Sequence, residues 1–147
     1  MAAAVFAVAA TVCVTTASPQ GSTTDTLSIR GRPQTLHIYG RRGGNPIVVS
    51  SSDGGWVRLG PHVAELLASH GNFVVGLDSK AYLESFTSGR AGVRPEEEPG
   101  DFAALVDYAG RGTQSRPVLV GVSEGAGLFV LAATDEVQKA KVAGIGY

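Results

Sequence analysis

Short runs of consecutive apolar residues alternate with helical patterns along this chain, and this alternation constrains the fold more than any other feature. The runs lie at Pro46–Ser50, Phe73–Leu77 and Pro117–Val122, and they are rich in valine and leucine. Uninterrupted apolar strands are typical of parallel sheets that are buried on both faces. Because helical patterns separate the runs, the sequence predicts βαβ units and a three-layer α/β/α fold with a mainly parallel sheet.

The segments between these runs predict the remaining elements. Apolar stripes at helical spacing indicate two helices, one with Leu59, Val63, Leu66 and Leu67 and one with Phe102, Leu105, Val106 and Ala109. The almost wholly apolar segment Gly125–Lys139 predicts a third, buried helix. Glycines and prolines within residues 80–100 predict a loop. Alternating runs at 25–30 and 35–40 predict a hairpin-like start, and Val142–Tyr147 predicts the beginning of another strand.

Composition excludes several classes of function. The 147 residues carry 12 basic and 13 acidic side chains, and this net charge of −1 argues against a nucleic-acid partner. Cys13 is the one cysteine, so an intrachain disulfide framework and a cysteine-based zinc site are both excluded. No glycine-rich phosphate-binding motif lies in a strand-to-helix turn. The sequence therefore predicts no cofactor and no metal site.

The N-terminus differs from the rest of the chain. Residues 2–14 are apolar except for Thr11, and as a helix they would rise about 20 Å, short of the roughly 30 Å of a bilayer core. This length is typical of a secretory signal, although a basic segment is missing before it. We expect a signal peptide over residues 1–17, a linker over 18–24 and the α/β domain over 25–147. The protein would then be exported, to the periplasm or beyond; the alternative is a disordered tail rich in alanine and threonine.

In parallel sheets the functional site lies at the carboxyl ends of the strands. One of these ends carries Gly121-Val122-Ser123-Glu124-Gly125, a G-x-S-x-G motif between a strand and a helix. This context is the one that a nucleophile elbow requires: the serine sits on a strained turn with its hydroxyl exposed. The amide of Glu124 would then point at a developing oxyanion. The alternative is a tight turn in which Ser123 only caps the helix.

Two further strand ends carry candidate residues. The segment Ser50–Trp56 contains two glycines that let the backbone face a ligand. The alternative is a flexible turn in which Asp53 caps a helix. Trp56 is consistent with a core residue, a lid or a substrate wall. Asp78 is a candidate for contacting substrate or holding the elbow loops, and the alternative is a cap on the next segment. The acidic run at residues 96–98 predicts the start of a helix.

These three segments resemble a known family. VVSSSDGGW at 48–56, VGLDSKAY at 75–82 and VGVSEGAG at 120–127 resemble the bacterial virulence-factor family of VirJ type, in the family's order. That family belongs to the α/β-hydrolase superfamily, and the resemblance runs from about Leu36 to Tyr147. It implies an exported serine hydrolase that acts on an ester, and some members are linked to hydrolysis of aminoacylated phosphatidylglycerol, a lipid reached at a membrane surface.

The resemblance also implies roles for individual residues. Ser123 would be the catalytic nucleophile, and the amide of Asp53, or alternatively of Gly54, would join that of Glu124 in the oxyanion hole. Trp56 and Asp78 would line the substrate site. The sequence departs from the family at Ser52, where a glycine is usual, and at Glu124, where a non-acidic residue is common.

The remaining two members of a catalytic triad are not evident. In this fold an acid and then a histidine follow the serine, but His37, His62 and His70 all precede Ser123. We expect all three histidines to be surface residues, with His37 in an edge strand. The sequence therefore predicts a fold truncated after the nucleophile helix, and a chain that is inactive alone. The alternative function is a non-catalytic α/β binding domain or an inactive truncated copy.

Overall fold

The computed structural model describes residues 21–88 and 91–147. The expected signal peptide and the first part of the linker lie outside these residues. The described strands are β1 (Thr23–Ile29), β2 (Arg32–Tyr39), β3 (Pro46–Ser50), β4 (Phe73–Leu77), β5 (Val118–Gly121) and β6 (Gly144–Gly146). The helices are α1 (Leu59–Ser69), α2 (Ser79–Phe86), α3 (Glu98–Gly110), α4 (Glu124–Ala132) and α5 (Glu136–Lys141).

The described strands form one sheet in the order β1-β2-β4-β3-β5-β6. The four strands β4, β3, β5 and β6 are parallel, and the β1–β2 hairpin joins them through an antiparallel pairing of β2 with β4. This arrangement confirms the predicted α/β fold with a mainly parallel sheet. One expectation is wrong: β2, which carries His37, is not an edge strand, because it lies between β1 and β4.

Helices cover both faces of the sheet, as the three-layer prediction requires. Val48 and Val75 point to one face, where they pack in a core with Phe102 of α3 and Phe129 of α4. Their neighbours Val49 and Val74 point to the opposite face, in a core with Ala64 of α1. Successive side chains of a strand alternate between faces, so a fully buried strand supplies both cores.

The expected loop over residues 80–100 is partly wrong, because α2 occupies its first third. The Asp78 side chain accepts a hydrogen bond from the Ala81 amide and so starts this helix. Tyr82 is fully buried and packs against Phe102. The glycines and prolines that predicted a loop all come after Phe86, the last residue of α2.

The predicted buried helix over Gly125–Lys139 is also wrong in extent. It is interrupted after Ala132, where the Thr134 hydroxyl donates to the Leu131 carbonyl and the Asp135 carboxylate accepts from the Val137 amide. These local side-chain hydrogen bonds compete with those of the helix backbone, so α4 ends here and a separate helix, α5, begins at Glu136. One face is exposed, since Val130 is 49% exposed.

The stripe predicted for α1 is displaced around the helix. Leu59 and Leu66 are 56% and 53% exposed, whereas Gly60 and Ala64 are buried. A Cβ at Gly60 would lie 3.3 Å from the Trp56 ring, so the small residues let α1 approach that ring closely. No helix within the described residues is both long and apolar enough to cross a membrane.

Candidate active site

Three loops meet at the carboxyl edge of the sheet and are joined by hydrogen bonds. The Ser51 amide donates to the Leu77 carbonyl at 3.0 Å, and the Ser51 hydroxyl accepts from the Ser79 amide at 2.9 Å. The Val122 amide donates to the Ser50 carbonyl at 3.2 Å. The loops after β3, β4 and β5 are therefore held against one another, as the sequence predicts. Sequence reasoning missed the role of Ser51, which lies in a run of three serines that begins at the last residue of β3.

Ser123 occupies the turn between β5 and α4 in a strained conformation. Its φ is 55° and its ψ is −121°, a combination that glycine adopts readily and that L residues rarely do. Such a residue costs on the order of 1–3 kcal/mol and persists only where the surrounding structure enforces it. The Ser123 side chain is exposed and makes no cap hydrogen bond to α4, so the helix-cap alternative is not supported.

The two glycines of the motif are required by close packing. A Cβ at Gly121 would lie 2.2 Å from the Ala126 Cα. A Cβ at Gly125 would lie 2.4 Å from both the Ser50 hydroxyl oxygen and the Ser51 carbonyl oxygen. Backbone atoms are the obstacle at both positions, so neither site accepts a larger residue without displacing the turn.

The Glu124 carboxylate lies at the predicted oxyanion site. Its Oε2 accepts from the Ser123 hydroxyl at 2.7 Å and, weakly, from the Asp53 amide at 3.4 Å. The pKa of Glu124 is lowered chiefly by the Ser123 hydroxyl, and then by hydrogen bonds from its own amide and from that of Asp53. The Asp53 amide and the Ser123 hydroxyl therefore meet at one carboxylate oxygen. The Gly54 amide is not among these donors.

Asp78 and Trp56 lie in the two neighbouring loops. Asp78 caps α2, as the capping alternative predicts, and its carboxylate packs against the turn after β3: a Cβ at Gly55 would lie 3.2 Å from it. The Trp56 ring covers the sheet, and a Cβ at Gly76 would lie 2.1 Å from it. Its indole N–H donates to the Tyr39 hydroxyl at 3.3 Å. Contact with substrate stays a prediction for both residues.

The histidines fall into two groups. His62 of α1 and His70, which follows the last residue of that helix, are exposed, which confirms the surface prediction for them. His37 is wrongly predicted, because its ring stacks on Trp56 with the centroids 4.9 Å apart. Burial lowers the pKa of His37, opposed by the nearby charge of Asp78. Among the described contacts of Ser123, none involves a histidine, and the hydroxyl bonds to Glu124.

Comparison with solved structures identifies the fold. The chain is similar to naproxen esterase from Bacillus subtilis (TM-score 0.65, 12% identity, covering 86% of this chain and 42% of that one). It is also similar to a membrane phospholipase A described as a bacterial virulence factor (TM-score 0.63, 18% identity, 85% and 38%). Epoxide hydrolase A from Mycobacterium thermoresistibile gives a TM-score of 0.60 at 20% identity (84% and 38%). These likenesses show an α/β-hydrolase fold.

Sequence comparison gives the family. No curated protein sequence matches the chain. The chain spans about two fifths of the length of the solved structures it matches. Residues 45–145 match the model of the bacterial virulence protein VirJ, and this range includes all three strand ends of the site. The chain therefore belongs to the VirJ family of bacterial virulence proteins, within the α/β-hydrolase fold.

Proposed function

We propose that this chain provides the nucleophile and the oxyanion donors of a serine hydrolase that acts on esters. The observation that carries the proposal is the strained Ser123 turn between β5 and α4, with the Asp53 amide of a second loop bonded to the same carboxylate oxygen as the Ser123 hydroxyl. A fold gains no stability from such strain, so its persistence favours a chemical role for the serine.

In the proposed reaction the Ser123 oxygen attacks the ester carbonyl, and a general base accepts the hydroxyl proton. The carbonyl oxygen becomes an oxyanion, which the amides of Asp53 and Glu124 stabilise. The alcohol leaves with a proton returned by the base, so an acyl-serine remains, and water then releases the acid. The described residues supply the attacking atom and the donors. In the α/β-hydrolase class the base is a histidine that follows the serine in the chain.

The proposed substrate is a lipid ester reached at a membrane surface. The fold is shared with an esterase and a membrane phospholipase A, and the VirJ resemblance extends this to aminoacylated phosphatidylglycerol. The test is release of the free amino acid from vesicles that contain the aminoacylated lipid, followed by chromatography. Because no general base is identified among the described residues, we expect slow release by the wild-type chain and none by Ser123→Ala. Measurable and equal release by both would contradict the assignment.

The proposed nucleophile is tested with a fluorophosphonate probe, which forms a covalent bond with activated serines. We expect labelling of the wild-type chain to be lost in Ser123→Ala and kept in Ser115→Ala, a serine exposed in the loop before β5. Circular dichroism shows whether each variant is folded. Labelling that persists in folded Ser123→Ala would overturn the role of Ser123.

A second candidate function is a non-catalytic α/β domain that binds a ligand at the same strand ends. The hydrogen bond from Ser123 to a carboxylate, rather than to a histidine, favours this alternative. Under it, the folded wild-type chain takes up no fluorophosphonate. Ligand binding, measured by calorimetry with lipid vesicles, would then be unchanged in Ser123→Ala.

We further propose that the protein is exported, since residues 2–14 have the length and composition of a signal core. N-terminal sequencing of protein recovered from the periplasm or the medium tests this. Cleavage close to Ala17 supports export, and an intact N-terminus in the cytoplasm contradicts it.

A further inference from the structure

We infer that the Glu124 side chain competes with substrate for the oxyanion site, so that the site as folded is occupied by the chain itself. This inference rests on the proposed function, since it concerns the same donors. The Glu124 carboxylate already accepts from the Ser123 hydroxyl at 2.7 Å and from the Asp53 amide at 3.4 Å. A carboxylate is an anion with oxygen acceptors, and it therefore resembles the oxyanion that these amides would stabilise.

The site cannot hold the Glu124 carboxylate and a reacting substrate at the same time, because both carry a negative charge. A tetrahedral oxyanion and the Glu124 carboxylate would stand at the same donors, and two negative charges at one site cannot both be stabilised there. The Glu124 side chain must therefore rotate away before Ser123 attacks. While Glu124 occupies the site, the Ser123 hydroxyl donates its proton to the carboxylate and does not offer it to another base.

The bonds that hold Glu124 are of a kind that substrate can displace. No ion pair of Glu124 appears among the described residues. Its pKa is lowered chiefly by the Ser123 hydroxyl and by backbone amides, which are neutral hydrogen-bond donors, and least by the side chain of Asp53. The side chain is exposed, so it can rotate into water without crossing packed atoms. The Asp53 contact at 3.4 Å is long for an amide donor.

Glu124 in the role of the general base is the main competing interpretation. A carboxylate that accepts from a serine hydroxyl has the right contact for proton transfer, but hydrogen bonds lower the pKa of Glu124 and so make it a weaker base. The two roles predict opposite outcomes. Removing a base reduces the reactivity of Ser123, whereas removing a competitor increases it.

The first test measures the binding of phenylboronic acid, which forms a tetrahedral anion on a reactive serine. Glu124→Gln and Glu124→Ala remove the charge but keep the backbone amide, and Glu65→Gln removes the same charge from an exposed position of α1. We expect boronate affinity to rise about tenfold in Glu124→Ala, severalfold in Glu124→Gln, and not at all in Glu65→Gln. Affinity that falls or stays constant in both Glu124 variants would overturn the inference.

The second test does not depend on the reactivity of Ser123, and so separates the inference from the proposed function. Acetate is titrated into the labelled full chain, and the NMR signals of the amides of residues 53 and 124 are followed. If Glu124 occupies the site, acetate binds Glu124→Ala at least fivefold more tightly than wild type and shifts both amides. If Glu124→Ala binds acetate more tightly than wild type but neither chain binds the boronate, the proposed function is refuted and the occupancy of the site by Glu124 is retained. Equal acetate affinity of the wild-type chain and Glu124→Ala would refute that occupancy.

Discussion

Two hydrogen-bonded carboxylates in this molecule differ in what compensates their charge. Asp101 of α3 is 3% exposed and accepts from the Arg30 guanidinium, at 2.8 Å to each of its oxygens, and from the Tyr82 hydroxyl at 2.6 Å. Glu124 is exposed, and its described hydrogen bonds come from a hydroxyl and a backbone amide. A cation thus compensates the carboxylate that ties elements together. At the candidate site no described residue pairs a cation with Glu124, so another anion can reach the same donors once the side chain rotates away.

The two regions also treat backbone strain differently. Arg30 has a φ of 48° in the turn between β1 and β2, and its side chain is fixed by Asp101 and stacks 3.8 Å from the centre of the Phe86 ring. Positive φ is what a tight hairpin turn of this kind requires, so the conformation serves the pairing of the strands. Ser123 has a φ of 55° with no comparable anchor on its side chain, and its conformation instead presents a hydroxyl.

The largest expected effect comes from filling the contact beneath the Ser123 turn. Gly125→Ala places a Cβ 2.4 Å from the oxygens of Ser50 and Ser51, and we expect a loss of about 3 kcal/mol in the free energy of unfolding. The matched control is Gly127→Ala in the same helix, where a Cβ meets nothing within 4 Å. That variant should gain up to about 1 kcal/mol from helix propensity. Equal urea midpoints for the two variants would contradict the packing argument.

Removing the cation from the Asp101 region should have the next largest effect. Arg30→Met leaves a buried carboxylate with only the Tyr82 hydroxyl, and breaking buried pairs costs 3–5 kcal/mol. Because the Arg30 side chain is 32% exposed, we expect about 2–3 kcal/mol. Arg116→Met, at an exposed arginine, should change stability by less than about 0.5 kcal/mol. Chemical denaturation measures both, and a neutral Arg30→Met would mean that the pair contributes nothing.

Relieving the strain at Ser123 should stabilise the fold. Ser123→Gly removes a strained conformation worth about 1–3 kcal/mol and adds a glycine entropy cost of about 0.5–1 kcal/mol, so we expect a net gain of about 1 kcal/mol. Ser123→Ala loses the same hydroxyl but keeps its Cβ, and it should show no such gain. The thermal midpoints of the two variants test this prediction, because both lack the hydroxyl and only Ser123→Gly relieves the strain. Equal midpoints would contradict it.

The last predicted effect concerns Glu98, a neighbour of Asp101 in the first turn of α3, and it vanishes at low pH. Its side chain is buried, and burial, followed by the charge of Asp101, raises its pKa above the usual 4.5. A raised carboxyl pKa means that the folded chain holds the proton more tightly than the unfolded chain. Stability is therefore lost as pH rises through the raised pKa. Glu98→Gln should stabilise the protein by about 1 kcal/mol at pH 7 and by nearly nothing at pH 4.

The control for this prediction is Glu96→Gln, because Glu96 is exposed in the segment before α3. It should have a small effect that does not differ between the two pH values. An equal stabilisation by Glu98→Gln at pH 7 and pH 4 would show that packing, and not charge, is responsible.

The parts of the fold that have a clear local sequence pattern could be predicted from the sequence. The strands β3 and β4 were predicted at their observed bounds, because a continuous apolar run has few alternatives once helices flank it. The α2 helix was missed, because its signal is one capping residue, Asp78, and one fully buried tyrosine, Tyr82. The stacking of His37 on Trp56 was not predictable either, since it depends on the pairing of β2 with β4, which local sequence does not reveal.

The candidate site was predictable in its backbone but not in its side chains. The G-x-S-x-G pattern predicts the turn, because two glycines and a strained residue between a strand and a helix leave one arrangement. The direction of the Glu124 side chain follows from where the Asp53 amide lies, and that position is set by a loop 71 residues away in sequence. Rotamers that depend on such distant contacts are not encoded in the motif itself.

The most direct measurement locates the covalent group after fluorophosphonate treatment of the unsubstituted chain. Digestion and tandem mass spectrometry assign the modified residue without any substitution in the chain. The account predicts a single phosphonyl group on Ser123. A phosphonyl group on Ser50, Ser51 or Ser52 with Ser123 unmodified, or no modification of a folded chain, would contradict it.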